Sequence, residues 1–178
     1  MKNRLSARKM AFAAVVAAVY AALTILLGFM SYGPIQFRIA EALCILPFFF
    51  PTTTWGLFLG CFIANIIGPN GVADAVFGSL ATLLSCLCIT VIGKAGRNTW
   101  PRCIAVCLMP VVWNAIIIGG MLAFMTAPLS IFAMIPLFGV YALEVAVGEI
   151  AVMFIIGLPL MRIFPKKKYF QHLEEKLK

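Results

Sequence analysis

The sequence predicts an all-α integral membrane protein of one domain, residues 1–178. It is a six-helix bundle with both termini cytoplasmic and with helices 2 and 3 short. Three observations predict this. Of the 178 residues, 63% are hydrophobic and 11% charged, against roughly 45–50% and about 25% in a soluble domain. Apolar runs fill nearly everything between Met10 and Met161 and break only at proline, glycine and charge clusters. The basic residues collect at alternate breaks, which orients the chain.

The first run, approximately 10–29, reads MAFAAVVAAVYAALTILLGF. Basic residues precede it, as in a signal peptide, but its length and the spans that follow make it a retained helix. Runs 37–50 and 54–67 are short, about 21 Å each at the helical rise, and Pro47 and Pro51 weaken the first of them. They are two short helices within the bundle or a re-entrant hairpin; both return the chain to the side it left. Runs 72–92, 103–125 and 136–161 are long enough to span. Residues 162–178 form a cytoplasmic tail, expected to be solvated or to touch headgroups.

Lys2, Arg4, Arg8 and Lys9 precede the first run. Lys94, Arg97 and Arg102 separate the fourth from the fifth. Arg162, Lys166, Lys167, Lys168, Lys176 and Lys178 follow the sixth. All the basic residues except Arg38 thus lie on one side, which the positive-inside rule makes the cytoplasm of a multi-pass plasma-membrane protein. The net charge of +8 is a topology signal, and no nucleic-acid partner is expected. The six cysteines lie in or beside apolar runs and read as small apolar filler, with no metal set. No Walker-type phosphate loop occurs, and no nucleophile–base pair points to catalysis.

Five ionisable residues remain amid the hydrocarbon: Arg38, Glu41, Asp74, Glu144 and Glu149, a net charge of −3. Each such group costs about 2.5–3.5 kcal/mol at mid-bilayer unless paired, hydrated or used. Read with Asn65 and Asn114, they occupy the outer half of the bundle, while the inner half is nearly free of polar groups. That distribution predicts a pocket open outside and closed inside. Ionised carboxylates only accept hydrogen bonds, so the pocket suits a cation or a flat heterocycle with adjacent N–H donors. Arg38 and Glu41, three apart on one face, either neutralise each other or stand at the entrance. Asp74 is either a helix-start charge facing water or a residue at the mouth. Asn65 and Asn114 serve as interhelical glue or as ligand contacts.

In the first run Ala14, Ala18 and Ala22 stand four apart, beside a parallel row of Ala13, Ala17 and Ala21. Gly56, Gly60 and Ala64 repeat the spacing in the third run. Such small-residue ridges let helix backbones approach closely in lipid. With two rows on one helix, one is free for a partner.

The segments FRIAEALCILPFF, GLFLGCFIANIIG, GVADAVFGSLATLLS, PVVWNAIIIGG and VGEIAVMFIIGLPL, in that order, resemble the QueT family of queuosine-precursor transporters from about Phe37 to Leu160. These are substrate-binding S-components of energy-coupling-factor (ECF) importers. The alanine ridge looks like the AxxxA signature with which S-components dock on the shared T-component. The resemblance implies a six-helix S-component binding a 7-substituted 7-deazaguanine near the outer face. It implies uptake powered by a T-component and two ATPases, so that this chain needs no cofactor and ATP is hydrolysed by its partners. On this reading Glu144 and Glu149 take the heterocycle edge or a cationic arm, and Asn65 and Asn114 take the remaining groups. Asp74 lies at the mouth, and Arg38 and Glu41 gate the site or hold the GFMSYGPIQ loop as a lid. The competing expectation is a stand-alone secondary transporter or channel, which needs polar residues through the full thickness.

Overall fold

A computed structural model describes residues 6–32, 35–96, 98–127 and 131–177. Lys2, Arg4, Arg97 and Lys178 of the orientation argument, and Gly33 and Pro34 of the loop, lie outside the described residues. The described chain is helical throughout, with α1 at Ala7–Leu26, α2 at Gly28–Ser31, α3 at Thr53–Ile67 and α4 at Gly71–Lys94. After these come α5 at Trp100–Thr126, α6 at Ile131–Val152, α7 at Leu158–Ile163 and α8 at Lys168–Leu177. Four helical stretches are long and apolar enough to cross a membrane: α1, α4, α5 and the continuous stretch Ile131–Lys166. The molecule is therefore not a plain six-helix bundle; eight α-helices are described, and the second expected helix is not an α-helix.

That second run forms a 3-10 helix, Ile39–Phe48. Ten residues of 3-10 structure are unusual, and at about 2.0 Å per residue they reach ~20 Å. The narrow coil sits in the middle of the bundle, with Ala40, Glu41, Ala42, Cys44, Ile45, Leu46 and Pro47 all buried. Its repeat of three eclipses residues i and i+3, so Arg38, Glu41 and Cys44 rise in one row.

Close backbone approaches set the packing. A Cβ on Gly56 would strike the carbonyl of Ala13, and one on Gly60 would lie 2.6 Å from the carbonyl of Ala17. The Ala13–Ala17–Ala21 row is therefore consumed by α3, while Ala14, Ala18 and Ala22 stay exposed. Gly119 meets Ala142 between α5 and α6, and Gly148 of α6 abuts the carbonyl of Gln36.

The last long helix begins at Ile131 rather than Pro136. Pro136 forfeits only the bond to the carbonyl of Phe132, near an end where Phe132 is 87% exposed. Downstream, α6 passes into a π-helical turn, Met153–Gly157. Pro159 cannot donate to the carbonyl of Ile155 and its ring crowds that oxygen, and the widened turn accommodates both.

The tail, expected to be solvated or to touch headgroups, carries a helix with one apolar face packed on the bundle. In α8, Phe170 packs edge-on against Phe49, 5.1 Å between ring centroids, and stacks on Phe164 at 5.5 Å, while Leu177 is buried. Phe170, Leu173 and Leu177 fall at i, i+3 and i+7, a single apolar stripe among charges. Together with Phe12 and Phe50 these rings close the end of the bundle away from Arg38.

Candidate functional site

The opposite end of the core is polar. Arg38, which immediately precedes the 3-10 helix, is 2% exposed, and Glu41, Asn65 and Asp74 are fully buried; Asn114 is 2% and Glu149 3% exposed. Six elements or connections of the chain bring these groups together.

Glu41 is fully saturated. Tyr20 of α1 donates its hydroxyl to Glu41 Oε1. Thr82 of α4 donates to the same oxygen at 3.4 Å. The thiol of Cys44, one 3-10 turn on, donates to Oε2 at 3.0 Å. Arg38 turns the other way. One terminal nitrogen lies 3.7 Å from Asp74 Oδ2 and 3.4 Å from Gln36 Oε1, and the other faces the sulfur of Cys61 at 3.9 Å. No ion pair therefore joins the two residues directly, and both are buried rather than set at a water-facing entrance. Glu41 is bound to the partners on its own face, and Arg38 leans toward α4.

Asn65, near the end of α3, donates from Nδ2 to the main-chain carbonyl of Asp74 at 3.0 Å and to Cys61 Sγ at 3.2 Å. Asp74 occupies the first turn of α4 but is buried beside Arg38 rather than facing water at a mouth. Across the bundle, Asn114 of α5 donates from Nδ2 to Glu149 Oε1 of α6 at 2.9 Å. Gly148, the neighbour of Glu149, rests on the Gln36 backbone, two residues from Arg38. The Asn114–Glu149 pair thus belongs to the same polar region as Arg38.

Glu144 does not join it. It is half-buried, and no hydrogen bond or ion pair holds it among the described residues. Five residues from Glu149 on an α-helix is about 500°, leaving the two side chains roughly 140° apart. Only one of them can face the cluster.

The network also contains residues that charge-counting passed over. Tyr20, Gln36 and Thr82 supply polar partners, and Cys61, read as filler, accepts from Arg38 and Asn65 and lies 3.3 Å from the Thr82 hydroxyl. The available signal was spacing: Cys61 precedes Asn65 by four, and Thr82 follows Asp74 by eight, each on the same helix face.

The segment between α1 and the 3-10 helix folds over this end. The Phe37 amide donates to the carbonyl of Met30 at 3.1 Å. The Tyr32 hydroxyl donates to the carbonyl of Ala64 at 2.6 Å, and the Arg38 guanidinium lies 6.0 Å from the Tyr32 ring centroid.

Seven buried side-chain polar atoms lack a hydrogen-bond partner among the described residues: Ser31 Oγ, Arg38 Nε, Asn65 Oδ1, Asp74 Oδ1 and Oδ2, Asn114 Oδ1 and Glu149 Oε2. All but Ser31 Oγ belong to the cluster. Buried polar atoms are ordinarily paired with protein groups, water or a ligand, so these atoms hold spare capacity for a further polar partner. Chemically it offers five acceptors and one donor.

Helices long and apolar enough to cross a membrane thus surround a buried polar cluster, an arrangement that suits a membrane transporter. The sequence model of the QueT transporter family matches residues 10–166, and the chain belongs to that family, one of transporters rather than enzymes. It is also similar to the queuosine precursor transporter QueT of Lactococcus lactis subsp. cremoris (strain MG1363), with 41% identity over 73 residues. That alignment covers 40% of this chain and 43% of the relative, under half of either. No solved structure matches the chain.

Proposed function

We propose that this protein is the substrate-binding S-component of an ECF importer in the plasma membrane. It binds a queuosine precursor, a 7-substituted 7-deazaguanine, from the outside and delivers it inward with a T-component and two ATPases. The observation that carries this reading is the set of orphaned atoms on Arg38, Asn65, Asp74, Asn114 and Glu149.

Their chemistry complements a guanine-type edge. Such an edge presents a carbonyl oxygen, a ring N–H and an exocyclic amino group. Arg38 Nε supplies a donor for the first, Glu149 Oε2 an acceptor for the second and Asn114 Oδ1 an acceptor for the third. Adenine offers the reverse pattern at the matching position and would leave these groups unpaired, which is the strongest form of rejection a polar site has. The name of the Lactococcus relative supports the same ligand class.

The exposed Ala14, Ala18 and Ala22 row supports a partner helix on α1, and the basic segments support cytoplasmic termini. ATP hydrolysis then resides in the partners.

The test is equilibrium binding of 7-deazaguanine ligands to the purified protein, with adenine as control. Saturable binding of the deazaguanines alone supports the reading. Absence of binding in folded, monodisperse protein rejects it. Liposome uptake with and without the T-component and ATPases separates the S-component from a stand-alone transporter.

A further inference from the structure

Resting on that ligand class, we infer that Asp74 and Asn65 form a second subsite, for a short alkylammonium arm on the heterocycle, and that this arm sets which precursor is taken. The orphaned atoms fall into two groups. Glu149 and Asn114 belong to α6 and α5. Asp74 and Asn65 belong to α4 and α3 and are tied to each other, because Asn65 Nδ2 donates to the Asp74 carbonyl at 3.0 Å. That bond, with the one to Cys61, fixes the Asn65 amide so that Oδ1 is its free atom.

The second group therefore presents three free acceptors, Asp74 Oδ1, Asp74 Oδ2 and Asn65 Oδ1, while the one free donor of the cluster, Arg38 Nε, is left for the heterocycle carbonyl. A primary ammonium carries three N–H donors and no acceptor, so the match is one to one. Gly78 borders the same place. A Cβ there would collide with Asn65 Nδ2 and lie 3.3 Å from Asp74 Oδ1.

Charge points the same way. Among the described residues Arg38 is the single buried cation against three buried carboxylates, Glu41, Asp74 and Glu149. Its approach to Asp74, 3.7 Å, is longer than a hydrogen bond and leaves both Asp74 oxygens open. Buried charge without compensation is costly, and an ammonium supplies a second positive charge beside Asp74. A nitrile in the same position presents only an acceptor lone pair to three acceptors, a repulsive arrangement that excludes it.

The experiment compares three probes on the purified protein by calorimetry: 7-aminomethyl-7-deazaguanine, 7-cyano-7-deazaguanine and unsubstituted 7-deazaguanine. The aminomethyl compound is expected to bind at least about tenfold more tightly than either of the others. Asp74→Asn is expected to cost the aminomethyl ligand at least about tenfold more affinity than it costs the unsubstituted core. Should Asp74→Asn fail to fold, the comparison of the three probes on the native protein decides alone. Equal or tighter binding of the cyano compound to the native protein overturns the inference. So does a variant that weakens all three probes alike. If the unsubstituted core binds without any preference for the arm, this subsite alone is wrong; if no deazaguanine binds, the proposed function falls with it.

Discussion

Asn114 Nδ2 donates to Glu149 Oε1 at 2.9 Å, joining α5 to α6 inside the apolar bundle. The bond orients both side chains, so that Glu149 Oε2 and Asn114 Oδ1 remain as neighbouring free acceptors. Replacing Asn114 by alanine removes one acceptor and leaves Glu149 Oε1 unpaired. The expected result is a loss of about 1–3 kcal/mol in deazaguanine binding, read by calorimetry. An unchanged affinity would place the ligand elsewhere.

Tyr20 links α1 to Glu41. In Tyr20→Phe the carboxylate keeps only Thr82 at 3.4 Å on that oxygen. Stranding a buried acceptor costs about 1–3 kcal/mol, and for a chain of this size each kcal/mol is roughly 2–4 °C in melting temperature. Thermal unfolding in detergent should show that fall. No shift would mean that the hydroxyl carries little of the load on Glu41.

Gly148 has no room for a side chain, because its Cβ would overlap the Gln36 carbonyl. Gly148→Ala should push the Gln36–Arg38 stretch away from α6 and weaken ligand binding at least about tenfold, as misplacement of a positioned group does. Gly120, whose Cβ would meet nothing, is the matched control, and Gly120→Ala should bind normally. Equal behaviour of the two would remove the packing argument.

Ala18 is exposed on α1, off the Ala13–Ala17 row that meets the α3 glycines. Ala18→Leu should therefore abolish cellular uptake of the precursor by blocking close helix approach, while the purified subunit keeps its ligand affinity. Full uptake by this variant would take the partner surface off this row.

Phe170 anchors the tail helix on Phe49, Phe50 and Phe164. Phe170→Ala should release α8 at a cost of up to about 3 kcal/mol, making the bonds after Lys166, Lys167 and Lys168 faster to cleave with trypsin. Unchanged cleavage would show that the rings do not hold it.

Much of this was legible in the sequence because lipid leaves few options: backbone polar groups must be satisfied internally, so apolar length reads directly as span. The two alanine rows of α1 were legible from spacing, but which of them α3 takes shows only in the contacts of Gly56 and Gly60 with Ala13 and Ala17. The 3-10 form of Ile39–Phe48 was not legible, since the apolar pattern of that run fits either coil and burial decides between them. The docking of α8 was hidden because lysines and glutamates surround Phe170, Leu173 and Leu177, although their helical spacing was there to read. Glu144 and Glu149 were grouped by charge, and helical angle separates them. Arg38 and Glu41 were paired by proximity in sequence, yet each found a stronger partner on another helix. Tyr20, Thr82 and Cys61 were missed because their polarity shows only once buried charges need partners.

The central claim is that Glu149 accepts a ring N–H from a guanine-type ligand. Glutamine at this position keeps the shape. With its oxygen held by Asn114, however, it turns a donor amide toward the ligand. The most direct measurement is the affinity of 7-deazaguanine for native protein and for Glu149→Gln, both verified as folded by thermal unfolding. The account predicts saturable binding to the native protein and a loss of at least about tenfold in the variant. Equal affinity in the two proteins would contradict it.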